Sequence, residues 1–77
     1  MTVSPVRRFP APWQAVELED AFQIEDANGF PVAHVYFADA TQQRAGSDRM
    51  SRSEARRMAI RIAALPELRQ ALRDQDA

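Results

Sequence analysis

The sequence predicts a small α+β domain, in which a three-stranded antiparallel meander is followed by an amphipathic α-helix and a short C-terminal helix. Three observations support this order. Short segments before residue 39 alternate between apolar and polar side chains, residues after 50 repeat apolar side chains at helical spacing, and Pro66 interrupts that helical pattern. The 77 residues are enough for one domain. We expect an extended proline-rich arm at residues 1–12, the domain at 13–73 and a frayed tail at 74–77.

The arm is predicted from its prolines and from two aromatic residues. Pro5, Pro10 and Pro12 restrict the backbone, and each removes an amide donor. Phe9 and Trp13 are too large to leave exposed without a cost. We therefore expect these two side chains to pin the end of the arm onto the domain.

The three predicted strands cover residues 13–18, 21–26 and 31–38. In the second strand, Phe22 and Ile24 share one face, and polar residues occupy the other. The third strand is rich in β-branched and aromatic residues. Between them, the segment 26–29 reads Asp-Ala-Asn-Gly and predicts a tight hairpin turn, because Asn28 and Gly29 both tolerate positive φ.

The start of the first helix is predicted by a capping box. The Ser51 hydroxyl can accept a hydrogen bond from the Glu54 amide, while the Glu54 carboxylate reaches back to the Ser51 amide. Met50 and Ala55 lie where a hydrophobic staple would lie. The apolar positions at helical spacing are Ala55, Met58, Ala59, Ile62 and Ala63.

A proline predicts where this helix ends. The residue before a proline is disfavoured in the helical conformation, so we expect Leu65 to lie outside the helix. Pro66 suits the first turn of a second helix at 66–73, in which Leu68 and Leu72 are one turn apart. The segment 39–50 has no periodicity, and it is predicted to be a mobile loop.

Composition argues against several function classes. The chain has no cysteine and one histidine, so disulfides and ordinary zinc sites are excluded, and no metal or cofactor is expected. No apolar run is long enough for a membrane span, and no apolar segment follows the first arginines as in a secretory signal, so a cytoplasmic protein is expected. His34 has no nucleophile or carboxylate placed by the sequence to complete a catalytic set, so an enzyme is not expected.

The third strand suggests a first candidate surface. Alternation places Val32, His34 and Tyr36 on one face and the set Ala33, Val35 and Phe37 on the other. Both faces are substantially apolar, so a helix that covers one face would leave a stripe of the other in water. An exposed apolar patch usually marks a contact surface. The alternative is that the arm, with its two aromatic residues, folds over this stripe.

The first helix suggests a second candidate surface. Residues 1–40 carry two arginines and six acidic residues, a balance of −4, whereas residues 41–77 carry eight arginines and five acidic residues, a balance of +3. The arginines on the helix surface are Arg52, Arg56, Arg57 and Arg61. They could contact phosphate groups, or they could simply be solvated. Ile60 lies among them without predicted burial, which suggests that the helix meets a partner on a second side.

Five segments give the chain a resemblance to known proteins. They read RFPxPW at 8–13, DANG at 26–29, AxVYF at 33–37, SRxEARR at 51–57 and IAxLPEL at 62–68. The chain resembles a family of small uncharacterised bacterial proteins over about residues 8–68. The resemblance implies a short stand-alone cytoplasmic protein with no assigned function. It supplies no catalytic residue, and the family often has tyrosine in place of His34.

The sequence therefore favours a non-enzymatic protein-interaction module. Its partner would be another protein or a second copy of the chain, bound through the candidate interaction surface Val32, His34, Tyr36 and Ile60. The alternative is a nucleic-acid-binding regulator that uses the arginine-rich helix face.

Overall fold

The computed structural model describes residues 7–39, 41 and 48–76, and over these residues the chain forms three strands followed by two helices. The strands are β1 (Gln14–Glu17), β2 (Ala21–Glu25) and β3 (Pro31–Tyr36), and the helices are α1 (Arg52–Ala63) and α2 (Leu65–Asp76). The predicted α+β class and the order of elements are confirmed. Each strand lies within its predicted range.

The sheet is an antiparallel meander in the order β1-β2-β3. Ile24 in the central strand lies opposite Ala15 on one side and Ala33 on the other. A β-bulge follows, because Glu25 lies opposite Pro31 and Val32 is left without a partner in the register. The bulge interrupts the alternation of side chains at Val32, which was predicted to share a face with His34 and Tyr36.

The predicted hairpin turn between β2 and β3 is confirmed. The Gly29 amide donates to the Asp26 carbonyl oxygen, and the Asp26 amide donates to the Phe30 carbonyl oxygen, both at 3.0 Å. The Asp26 carboxylate accepts the amides of Asn28 and Phe30 at 2.9 Å each. Gly29 takes the left-handed conformation with φ of 82°, which explains why glycine stands there. Asn28 does not adopt a positive φ.

Helix α1 covers one face of the sheet and closes the core. Ala55 and Ala59 are completely buried, and their small side chains let the helix approach the strands closely. The rings of Phe22 and Phe37 lie 5.6 Å apart between their centroids. The core cluster consists of Phe22, Ile24, Val35, Phe37, Ala55 and Ala59.

The start of α1 has the predicted capping box. The Glu54 amide donates to the Ser51 hydroxyl at 3.2 Å, and the Ser51 amide donates to the Glu54 carboxylate at 2.7 Å. Met50 packs against the core, as the staple predicts. The Ala38 amide donates to the Met50 carbonyl oxygen at 2.9 Å and joins the two ends of the connection. The predicted mobility of the loop 39–50 falls largely on residues outside the described ones.

The helical segment is bent into two pieces at Ala64, and Pro66 lies in the first turn of α2, as predicted. Leu65 begins α2, so the prediction that Leu65 lies outside a helix is wrong. The Ala64 amide donates to the Ile60 carbonyl oxygen, and the Leu68 amide donates to the Ala64 carbonyl oxygen, both at 3.1 Å. Helical hydrogen bonds thus occur on both sides of the proline, which has no backbone donor of its own.

The second helix is also longer than predicted. It extends to Asp76, so residues 74–76 are helical where a frayed tail was expected. Among the described helices and strands, α2 approaches only α1. The Cα radius of gyration of 15.9 Å exceeds the value of about 11.5 Å expected for a compact domain of this length. Neither helix has the length and apolar character that crossing a membrane would require.

Candidate interaction surfaces

The sheet face opposite α1 is a hydrogen-bonded polar surface. The Gln23 amide nitrogen donates to the Glu25 carboxylate at 2.9 Å, and the Gln14 amide nitrogen donates to the same carboxylate at 3.3 Å. The Nε2 atom of His34 lies 3.0 Å from the side-chain oxygen of Gln23. These contacts join all three strands. Of the expected aliphatic-aromatic stripe, His34 and Tyr36 lie on this face, whereas Val32 does not.

The three residues predicted to form that stripe lie in different surroundings. Val32 is half-buried and packs against the core cluster, because the bulge removes it from the alternation. His34 and Tyr36 are exposed, and their rings stack at 5.9 Å between centroids with an angle of 20° between their planes. Tyr36 has 57% of its surface exposed.

The described part of the arm, residues 7–12, does not cover this face either. Trp13 packs against the core cluster, which lies on the α1 side of the sheet. The ring of Phe9 lies 6.0 Å from the ring of Phe30. The end of the arm is thus pinned to the domain, as predicted, but it leaves His34 and Tyr36 exposed.

One of the four arginines of the predicted basic face of α1, Arg52, is paired with an acidic residue. Arg52 donates two hydrogen bonds to the Glu17 carboxylate, from Nε at 3.1 Å and from a terminal nitrogen. These hydrogen bonds, and then the charge of Glu17, raise the pKa of Arg52 above its ordinary value. Arg52 thus links α1 to β1, and its charge is paired with that of Glu17.

The other three arginines of this face, Arg56, Arg57 and Arg61, are exposed. Hydrogen bonds from the Ser51 amide and hydroxyl, and to a smaller extent the charge of Arg57, lower the pKa of Glu54. Ile60 is 48% exposed. It is a single apolar side chain within a charged surface, which is an ordinary arrangement on a helix.

Three exposed leucines lie on α2, where the sequence analysis did not predict a site. Leu65, Leu68 and Leu72 are 50%, 57% and 63% exposed and follow one another at helical spacing. We call these three residues the leucine stripe. The sequence signal was present in the one-turn spacing of Leu68 and Leu72, but it gives no information on whether another element covers them.

A groove runs between the leucine stripe and the arm. Phe9 and Trp13 line the opposite wall, and the groove encloses about 630 Å³. Hydrogen bonds hold the arm in place, since the Trp13 indole donates to the Phe9 carbonyl oxygen at 2.9 Å and the Ala27 amide donates to the Pro10 carbonyl oxygen at 2.8 Å. The groove is therefore built from two elements far apart in the sequence.

The charged residues that line this groove are all arginines. They are Arg8 from the arm and Arg69 and Arg73 from α2. Within the described part of the chain, none of the three is joined to a carboxylate by an ion pair. The acidic residues Glu67 and Asp74 border a different hollow beside α2. The groove thus combines an apolar lining with unneutralised positive charge.

Comparison with known proteins does not assign a role to this chain. The described residues contain no group of three side chains that could hold a metal ion. Protein-family models, curated proteins and solved structures gave no match to this chain. The resemblance to small bacterial proteins stays a prediction.

Proposed function

We propose that this domain is a non-enzymatic protein-interaction module that binds a protein partner through the leucine stripe of α2. The observation that carries the proposal is the exposure of Leu65, Leu68 and Leu72, each of which leaves half or more of its surface in water. Burying a leucine side chain fully is worth about 1.5–3 kcal/mol. An amphipathic helix whose apolar side faces solvent therefore gains from a partner that covers it.

The leucine stripe is a better candidate than the surface predicted from the sequence. On the open sheet face, Gln14, Gln23, Glu25 and His34 are joined by hydrogen bonds, and Tyr36 is exposed. Ile60 is isolated among charged residues. Three leucines that are each half or more exposed follow one another on α2, and neither of the other two surfaces has such a series.

A nucleic-acid-binding role stays the alternative prediction. It would rest on Arg56, Arg57 and Arg61, because Arg52 is engaged by Glu17. Three solvated arginines on one helix are common on protein surfaces, and no second feature of α1 favours phosphate. The cytoplasmic location is likewise a prediction from the sequence.

The test compares three forms of the protein as bait in an extract of the organism that encodes it. They are the unaltered chain, the double variant Leu68→Gln/Leu72→Gln and the control variant Ile60→Gln. Glutamine is a good helix former, so each substitution removes apolar surface without weakening the helix. We expect the unaltered chain and the control to retain the same partner and the double variant to lose it. Equal retention by all three forms would contradict the proposal.

A further inference from the structure

We infer that the partner presents an acidic amphipathic helix to the groove between the arm and α2. This inference rests on the proposed function and adds the chemistry of the partner. The charge of the groove, the shape of its walls and the side of α2 on which each charge lies all favour such a partner.

The charge of the groove is complementary to carboxylates. Arg8, Arg69 and Arg73 line it, no acidic residue does, and no ion pair within the described residues neutralises the three arginines. A guanidinium group binds a carboxylate with two parallel hydrogen bonds, and such pairs are stronger beside a surface that excludes water. Glutamate or aspartate side chains at the edge of a partner would satisfy these groups.

The apolar walls fit a helix better than an extended chain. The leucine stripe spans eight residues, from Leu65 to Leu72, and the rise between its ends is about 10 Å, or two helical turns. A partner helix of two to three turns would place apolar side chains at matching intervals between α2 and the rings of Phe9 and Trp13. Binding of an amphipathic helix in an apolar groove is a recurrent mode of recognition.

A second copy of the chain fits this surface less well. Arg69 and Arg73 lie along one flank of the leucine stripe, whereas Glu67 and Asp74 lie on the other side of the helix. If two copies of α2 packed antiparallel through the stripe, the same flank of each helix would meet, and arginine would face arginine. Like charges placed together oppose this association.

A direct test uses two synthetic helical peptides of about 16 residues. Both carry the same leucines at helical spacing, flanked by glutamates in one peptide and by lysines in the other, and neither contains an aromatic residue. Trp13 is the only tryptophan of the chain and lines the groove, so its fluorescence reports binding at this site. We expect a saturable change with the glutamate peptide, an affinity at least about tenfold above that of the lysine peptide, and weaker binding at high salt.

Charge reversal provides the matched control. Arg69→Glu/Arg73→Glu should reverse the preference between the peptides, whereas Arg56→Glu/Arg57→Glu changes the net charge equally on α1 and should leave the preference intact. Circular dichroism of both variants checks that the helices are retained. If the groove variant kept the preference for the glutamate peptide, the inference would be overturned.

The outcomes also separate the inference from the proposed function. Equal affinity for both peptides that disappears in Leu68→Gln/Leu72→Gln would refute the acidic partner and leave the leucine stripe as a binding surface. Binding that survives in the double variant would count against both. If sedimentation showed a dimer and Leu68→Gln/Leu72→Gln converted it to a monomer, the stripe would bind a second copy of the chain and the inference would be overturned. Displacement of the glutamate peptide by a short DNA duplex would also overturn it.

Discussion

The indole Nε1 atom of Trp13 donates a hydrogen bond of 2.9 Å to the carbonyl oxygen of Phe9. Phe9 adopts φ of 50°, in the left-handed region, which costs a residue with a side chain about 1–2 kcal/mol. The bond from Trp13 and the ring contact with Phe30 keep Phe9 in this conformation. The end of the arm is therefore a fixed wall of the groove.

Trp13→Phe tests how firmly this wall is held. Phenylalanine keeps an aromatic ring against the core but has no N–H, so the bond to the Phe9 carbonyl oxygen is lost. We expect the free energy of unfolding to fall by about 1–2 kcal/mol, and the amide signals of residues 8–12 to broaden or move. Urea denaturation followed by circular dichroism measures the first effect, and NMR measures the second. An unchanged stability together with unchanged amide signals would show that the bond does not hold the arm.

The hydrogen bonds of the Asp26 carboxylate predict a difference in stability between two substitutions at this position. Asp26 is buried, and its Oδ1 atom accepts the amides of Asn28 and Phe30. Asp26→Ala leaves both amides without this acceptor and should lower the free energy of unfolding by about 1–2 kcal/mol. Asp26→Asn keeps the oxygen and should cost less than about 0.5 kcal/mol. Urea denaturation of both variants measures these free energies of unfolding. Equal decreases in the two variants would mean that the negative charge of Asp26 matters more than its acceptor oxygen.

Glu54 predicts a loss of stability in acid. Its pKa is lowered in the folded protein, first by the hydrogen bond from the Ser51 amide. A lowered pKa means that the stabilisation is complete above the ordinary glutamate value of about 4.3 and disappears as the pH falls through the folded value. Glu54→Gln keeps an acceptor without titrating. Between about pH 5 and pH 3 we expect the unaltered protein to lose more stability than the variant in urea denaturation, and parallel curves would contradict this.

The leucine stripe predicts that two large apolar residues can be replaced at little cost. Because the stripe is exposed, Leu68→Gln/Leu72→Gln should change the free energy of unfolding by less than about 0.5 kcal/mol. Ile24 is completely buried, so Ile24→Ala should cost about 2–5 kcal/mol. Thermal and urea denaturation provide the comparison. A large loss in the double variant would mean that the chain itself covers the stripe.

The features that could be predicted from the sequence depend on residues close together in the chain. The capping box joins Ser51 to Glu54, and the hairpin turn depends on Asp26 and Gly29. In each case the partners are three residues apart, so the local spacing already specifies the hydrogen bonds. The strands followed from alternation for the same reason.

The features that could not be predicted depend on register and on the path of the chain. Val32 turned to the core because a bulge interrupts the alternation, and the polar network between Gln23 and His34 exists only when β2 and β3 pair in this register. Arg52 was counted as a candidate phosphate contact, because the sequence could not show that the fold brings Glu17, 35 residues earlier, into hydrogen-bonding distance. Alternation along one strand contains no information about which neighbour a side chain meets.

The sequence by itself determined the α+β class, the order of the five elements, the hairpin turn and the start of α1, because each follows from periodicity or from contacts within one turn. Only the tertiary structure decided which apolar side chains remain exposed. Phe22 and Leu68 are both apolar and both lie on amphipathic elements, yet α1 covers Phe22 and nothing among the described residues covers Leu68 to the same degree. Burial depends on where other elements lie in space, and here that arrangement leaves a leucine stripe beside three arginines.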